Sequence, residues 1–514
     1  MCYDVINWLK KIDVRYKITI ISAFVIGVFS QGMGLFNKFS AHDDPMNYWV
    51  GATYTSGRWM LDILEVLERK FYGDSHYSLP VFNGLISILF IAVSACFIIK
   101  LLDINNKFLC MFISGIMVCF PVITSIFGYM FTLHFYMLAL LLGVTGAYFI
   151  CTFKKWYFWI LGVILVTLSV GIYQAFIPVT VSVILFYLIN HVMKYDDVKL
   201  NIKKILFSIS ACISFMILYF GVNKLYLLLK DAALSDYKSI DTMGKLTFGE
   251  ILFRIIDAYK EFFVPTSYEN YYMYPGTVLY IYVCILTITI ILCVVNYLRL
   301  SKKNKINAII FMVLVTVIPL SVNFIFVMTG REEVHSLMVY SQLMPFIFFV
   351  WIVEHTLFDK KILTKTLSCV TVFFMIALIL MYCRVDNKCY LQATYAQQEA
   401  ISYCNTLVTQ IKSAEGYKDE LPVAFINAGK LNDLSLQPGY NTALGEIDYF
   451  PYNMNATQYI NDYSWLAFMR QWTGYTPRIV DESSFTELKE VKDMPSYPDD
   501  GSIKIINDTV VVKF

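Results

Sequence analysis

The sequence predicts an all-α polytopic membrane protein of about 11 transmembrane helices, with a C-terminal extracytoplasmic α/β domain. Three observations carry the prediction. The 514 residues are 58% hydrophobic and only 16% charged, against about 45–50% and about 25% in an average soluble chain. The apolar residues fall into blocks of roughly 20, the length that crosses a bilayer core as a helix. The blocks end at Arg384, and a more polar segment occupies 384–514. This composition excludes an ordinary soluble enzyme and a disordered chain. The 41 basic and 39 acidic residues nearly cancel, so no nucleic acid or other polyanion is indicated as a partner.

The blocks are 18–36, 80–102, 108–127, 132–150, 157–173, 175–193, 205–228, 277–298, 308–328, 337–357 and 366–383. Tyr173, Gln174 and Pro178 interrupt an apolar run too long to cross once, which predicts a tight turn at 173–175. Alternate connections are basic. They hold Lys10, Lys11, Arg15 and Lys17; Lys100 and Lys107; Lys154 and Lys155; Lys194, Lys199, Lys203 and Lys204; Arg299, Lys302, Lys303 and Lys305; and Lys360, Lys361 and Lys365. The opposite turns hold no basic residue at 128–131 or 173–175, and only Arg331 at 329–336. By the positive-inside bias the N-terminus is cytoplasmic and the C-terminus lies outside. The chain is expected to be multi-pass with its C-terminal domain outside. The expected domains are 1–383, with outer loops 37–79 and 229–276, and 384–514.

Within the second domain, Tyr390, Tyr395, Ile401, Leu407 and Ile411 recur at helical spacing, and 422–429 reads as a strand. Ile503–Ile506 and Val510–Phe514 form a predicted hairpin turned by Asn507 and Asp508. Nine of the twelve cysteines lie in or beside the apolar blocks, where they act as small apolar residues. Cys389 and Cys404, fifteen residues apart, would stand about 22 Å apart on one helix, beyond disulfide reach. The six histidines show no metal-ligand spacing.

Three segments hold residues suited to chemistry. The first outer loop carries Asp43-Asp44 directly after the first span, then Trp49 and Gly57-Arg58-Trp59. Behind it, Trp59, Ile63, Leu67 and Phe71 recur every four residues with Asp62, Glu65 and Glu68 between them, a helix suited to the membrane interface. The bland alternative is a helix cap and a solvated loop. The second outer loop opens a further amphipathic helix at Thr247-Phe-Gly-Glu250, a capping-box pattern, with Arg254 and Lys260 on its polar side. The third is the turn Arg331-Glu332-Glu333 with His335. An arginine fork suits a phosphate; the competing reading is a local ion pair of little energetic weight. Within the spans, His134, Gln174, Asn323 and Gln342 all fall near one end of the bundle, and no Asp or Glu occupies a span centre. A coupled transporter usually keeps an ionisable group at mid-membrane. The distribution points to chemistry at the outer face.

Taken together, the acidic pair after the first span, the interfacial helix, the further spans and the outer C-terminal domain resemble the GT-C class of integral membrane glycosyltransferases. The acidic pair with Gly57-Arg58-Trp59, the segment Gly171-Ile-Tyr-Gln-Ala175 and the terminal Met494-Pro-Ser-Tyr-Pro-Asp-Asp-Gly501 resemble more closely the serotype-converting O-antigen glucosyltransferase (Gtr) family. That resemblance implies transfer of glucose from undecaprenyl-phosphate glucose to lipid-linked O-antigen of lipopolysaccharide on the periplasmic face, with inversion. It also implies a bacterial inner (plasma) membrane, and so a periplasmic position for the C-terminal domain, with a separate donor-synthesising transferase and a flippase as functional partners. Asp43 or Asp44 would be the catalytic base, with Asp43 preferred. Arg331, then Arg58, would bind the donor phosphate, and Trp49, Trp59, Tyr173 and Gln174 would contact sugar. No cofactor is expected; a divalent metal on the acidic pair is the alternative. The competing functions are a GT-C transferase for another sugar or acceptor, an O-antigen polymerase and a flippase. Five basic residues in loop 229–276 favour the polymerase. The odd span count and the absence of repeat halves weigh against the flippase.

Overall fold

Asp13, Asn106, Asp197 and Asn304 each stand immediately before an apolar run, and each side chain accepts a hydrogen bond from a backbone N–H two or three residues on. These caps satisfy donors that a helix N-terminus leaves open. All four lie in the Lys- and Arg-rich connections, so helix starts and basic residues coincide at one end of the bundle.

A computed structural model of the chain describes residues 11–41, 43–46, 53–73, 78–153, 155–235, 247–265, 274, 276–329, 334–356, 361–428 and 464–514. The fold is mostly helical. In chain order the helices are α1 (Val14–Phe36), α2 (Trp59–Tyr72), α3 (Pro80–Leu102), α4 (Lys107–Cys119), α5 (Val122–Phe127), α6 (Leu133–Thr152), α7 (Trp156–Ile172), α8 (Ile177–Lys194), α9 (Val198–Leu229), α10 (Phe248–Phe263) and α11 (Thr277–Lys303). After them come α12 (Lys305–Thr316), α13 (Ile318–Val322), α14 (Phe324–Met328), α15 (Met344–His355) and α16 (Lys361–Ser413).

Among the described residues, eight helices are long and apolar enough to cross a membrane, fewer than the eleven apolar blocks. The expected span 108–127 is α4 and α5, broken at Phe120 and Pro121. The span 157–173 is α7, of 17 residues. The span 337–357 is two short 3-10 turns followed by α15, of 12 residues, with Pro345 in its first turn. Hydropathy reports apolar length, whereas proline removes an N–H and clashes with the preceding turn, so an apolar run need not be one helix. The break at Tyr173 falls where it was expected: its extended backbone ends α7, and a 3-10 turn at Gln174–Phe176 leads into α8.

The chain divides into two compact units, Met1–Asn37 with Trp49–Asn387, and Lys38–Tyr48 with Lys388–Phe514. In the second unit, β1 (Val423–Ile426) pairs parallel with β3 (Thr509–Lys513), and β2 (Ile503–Ile506) pairs antiparallel with β3, giving the order β1-β3-β2. Asn507 and Asp508 both adopt positive φ, at 49° and 52°. Two such residues in succession give the twist a tight hairpin needs. Ala424, Ile426, Val511, Phe485, Val491 and Met494 pack together as its core. Cys389 and Cys404 are both buried, and both lie on α16.

Inside the first unit, Asp386 on α16 is fully buried. Its carboxylate accepts from Ser30 Oγ, from Gln31 Nε2 at 3.2 Å and from Thr124 Oγ1 at 2.9 Å. This cluster ties α1 and α5 to the last long helix. Asp386→Ala removes the acceptor that Ser30, Gln31 and Thr124 share; Gln31 keeps Val118 O and Thr124 keeps Gln31 Oε1, and we expect a loss of about 1–3 kcal/mol. Asp386→Asn, which keeps one acceptor oxygen, is expected to lose less. Melting of the two purified variants in detergent measures both losses.

Candidate functional site

The segment before α2 is held from below. Gln174 Nε2 donates to Ser56 O at 2.9 Å and to Tyr219 Oη at 3.1 Å, and Tyr219 Oη donates to Gly57 O at 3.1 Å. Gly57 has φ 72°, a conformation costly for any side chain with a Cβ. The turn it makes sends Arg58 and Trp59 into the bundle. Arg58 donates to Tyr136 Oη at 3.2 Å, and its guanidinium lies 5.3 Å from the Tyr173 ring centre. Tyr136 stacks on Tyr173 at 4.4 Å. Tyr173 in turn donates to Leu337 O at 3.2 Å. Trp59 is buried against Gly171, where a Cβ would come within 2.6 Å of the indole. Four sequence-predicted residues, Arg58, Trp59, Tyr173 and Gln174, therefore meet in one cluster. The faces of Trp59 and Tyr173 are largely covered by protein.

The acidic pair belongs to the second unit. Asp44 is buried and paired with Lys38 Nζ, and its N–H donates to Ala41 O at 3.0 Å. Asp43 is half-buried, and its carbonyl accepts from Met46 N at 3.1 Å. The loop is fastened to α16: Ser40 N donates to Gln397 Oε1 at 2.9 Å, Gln397 Nε2 donates to Lys38 O at 2.9 Å, and Phe39 stacks on Tyr390 at 5.7 Å. Trp49 and Arg331 lie outside the described residues, as do His42, Glu332 and Glu333. Among the described residues, no three His, Cys, Asp or Glu side chains converge as a metal site.

Helix α2 holds what sequence reasoning missed. The later part of its apolar stripe is turned outward, with Leu67 53% and Phe71 83% exposed, whereas Trp59 is buried and Asp62 and Glu65 are each only 2% exposed. An outward apolar stripe is what an interfacial helix presents to lipid. The acids form the protein-facing side. Asp62 accepts from Tyr226 Oη at 2.7 Å and lies 3.3 Å from Lys230 Nζ. Glu68 lies 3.3 Å from His134 Nε2 on α6. Spacing of three between Asp62, Glu65 and Glu68 already puts them on one face; the signal was there, but amphipathicity does not say which face turns inward.

Burial, reinforced by the like charge of Asp62 and opposed by Arg58, with Glu68 adding further repulsion, pushes the Glu65 carboxyl from 4.5 up to about 8. Below pH 4.5 both folded and unfolded chains hold this proton, and no stability is lost. As pH rises through the window from 4.5 to about 8, the unfolded chain releases it first, so stability falls and then levels off. Glu65→Gln removes this loss. Its melting temperature in detergent is expected to match the parent's in acid and to exceed it by a growing margin up to about pH 8. A constant difference across that range would contradict the assignment.

The second amphipathic helix repeats the pattern. The capping box at Thr247 and Glu250 is formed. On α10, Phe248, Leu252, Phe253 and Ile256 are exposed, and Glu261 is buried. Asn323 Nδ2 donates to Ala258 O at 2.9 Å, Gln342 Nε2 donates to Asn323 Oδ1 at 3.3 Å, and Tyr282 Oη donates to Phe262 O at 2.7 Å. His134, Gln174, Asn323 and Gln342 thus serve to hold the two non-spanning helices and their approaches.

Comparison with known proteins adds one finding. A family model, glucosyl transferase GtrII, matches residues 32–346, more than half of the chain and all of the segment from the acidic pair through α14. Neither the curated proteins nor the solved structures give a match. On that span, with its apolar helices and its two tethered amphipathic helices, the chain belongs to the GtrII glucosyl transferase family.

Proposed function

We propose that the protein transfers glucose from undecaprenyl-phosphate glucose to a sugar of lipid-linked O-antigen on the periplasmic face of the inner membrane, changing the serotype. The family match over 32–346 carries this reading. The alternation of basic connections supports a cytoplasmic N-terminus and a periplasmic C-terminus. Synthesis and flipping of the donor fall to two other proteins.

The chemistry asks little of the protein beyond placement and charge. A carboxylate of the acidic pair accepts the proton of the acceptor hydroxyl as its oxygen attacks C1 of glucose from the face opposite the phosphate. The C1–O bond to phosphate breaks with inversion, and the lipid phosphate leaves with one more negative charge. Asp43 is our first choice for the base, since Asp44 is buried and held by Lys38. Arg331, then Arg58, neutralises the departing phosphate. Trp49, Trp59, Tyr173 and Gln174 shape the sugar site. No cofactor is required, and a divalent metal on the acidic pair is the variant to test.

The test is transfer in membranes supplied with undecaprenyl-phosphate glucose and lipid-linked O-antigen. Asp43→Asn is expected to lower the rate at least about a hundredfold, as loss of a general base does, while inserting normally. Arg331→Ala is expected to fall by about tenfold to a hundredfold. Loss of transfer with EDTA would make the pair a metal site. No transfer by the parent from any phosphate-linked sugar, with both Asp variants functional in cells, would overturn the proposal.

A further inference from the structure

Four buried polar atoms without hydrogen-bond partners lie on α2 and the helix beside it: Trp59 Nε1, Glu65 Oε2, Glu68 Oε2 and His134 Nδ1. Native proteins pair most buried polar atoms, so orphans on neighbouring side chains call for a ligand or a cost with another purpose. Glu65 is the clearest case. It is 2% exposed, its Oε2 meets no donor, and the fields of Arg58, Asp62 and Glu68 all reach it. His134 on α6 stands 3.3 Å from Glu68 through Nε2, and its Nδ1 has no hydrogen-bond partner. Hydrocarbon offers these atoms no hydrogen-bond partner.

We propose that the inner face of α2, from Arg58 to Glu68 with His134 opposite, is a hexose-binding subsite in which Glu65, Glu68 and His134 bond sugar hydroxyls. A hydroxyl both donates and accepts, so one hexose ring can satisfy carboxylate, carboxylic acid and imidazole groups together. Glu65, whose carboxyl keeps its proton to about pH 8, offers a donor and an acceptor on one side chain. The same chemistry serves the glucosyl unit of the donor or a sugar of the acceptor chain, and the experiment separates them. The subsite deepens the glycosyl-transfer reading and rests on it.

The test compares full-length parent, Glu65→Leu and Glu65→Gln in detergent. Leucine keeps the volume and removes a buried acid, so Glu65→Leu should fold and melt higher than the parent without ligand. Three probes are used: citronellyl phosphate, citronellyl-phosphate glucose, and O-antigen oligosaccharide released from its lipid. The subsite predicts that Glu65→Leu weakens binding of one glucose-bearing probe, or raises the KM for that substrate, by about tenfold, the equivalent of one or two hydrogen bonds. Citronellyl phosphate binding should not change. Glu65→Gln should stay within about threefold of the parent, because an amide can bond the same hydroxyl. Weakening for citronellyl-phosphate glucose places the donor sugar there; weakening for the oligosaccharide places the acceptor. If Glu65→Leu melts higher yet binds both sugar probes and transfers as the parent does, the subsite is overturned. Should Glu65→Leu fail to fold, Glu68→Leu carries the same comparison. Failure of the parent to transfer would count against the function proposed above, while the binding measurements would still decide the subsite.

Discussion

A polar group inside an apolar bundle must find its partner within the protein, because hydrocarbon offers none. This constraint organises the first unit. The spans carry few polar side chains, and His134, Gln174, Asn323 and Gln342 reach toward Glu68, Ser56, Ala258 and Asn323 respectively. These contacts hold α2 and α10, neither of which crosses the bundle. Asp386 answers the same demand deeper in the fold, where three neutral donors surround one carboxylate and join the first and last long helices. These bonds add to the apolar packing of Trp59 and Leu61 on α2 and of Ala258 and Phe262 on α10.

The tethers also decide which way the amphipathic helices face. On α2 the apolar residues Leu67 and Phe71 point away from the protein, and Asp62 and Glu65 point into it. A soluble protein would reverse this arrangement. The inward acids are held at an energetic cost, visible in the raised Glu65 carboxyl and in the unpartnered atoms around it. Strain of this kind in a native protein is usually kept where function needs it. The aromatic residues expected to contact sugar are more thoroughly packed than the acids are: Trp59 lies on Gly171, and Tyr173 stacks with Tyr136 beneath Arg58.

Much of the architecture was legible in the chain. The break at Tyr173, the capping box at Thr247 and Glu250 and the hairpin at Asn507-Asp508 all appear where the residues indicated. The Gtr resemblance, drawn from short segments, agrees with the family match over 32–346. The span count was not legible: Pro121 and Pro345 break or shorten helices within two uniformly apolar runs, and a third run forms α7, of only 17 residues. Nor was the division of the first loop. Lys38–Tyr48 packs with the C-terminal unit, through Gln397 and Tyr390, residues some 350 positions away.

What the sequence by itself determined is local or additive: apolar length, helix caps, tight turns, the alternation of basic connections and the family to which they belong. Each depends on residues within about a turn of one another or on a sum over a block. The tertiary structure alone decided which face of α2 is buried. Asp62 finds Tyr226 and Lys230, and Glu68 finds His134, across separations no local pattern encodes. A helical repeat defines two faces but not their surroundings; burial, and with it the chemistry of Glu65, comes from the neighbours the fold supplies.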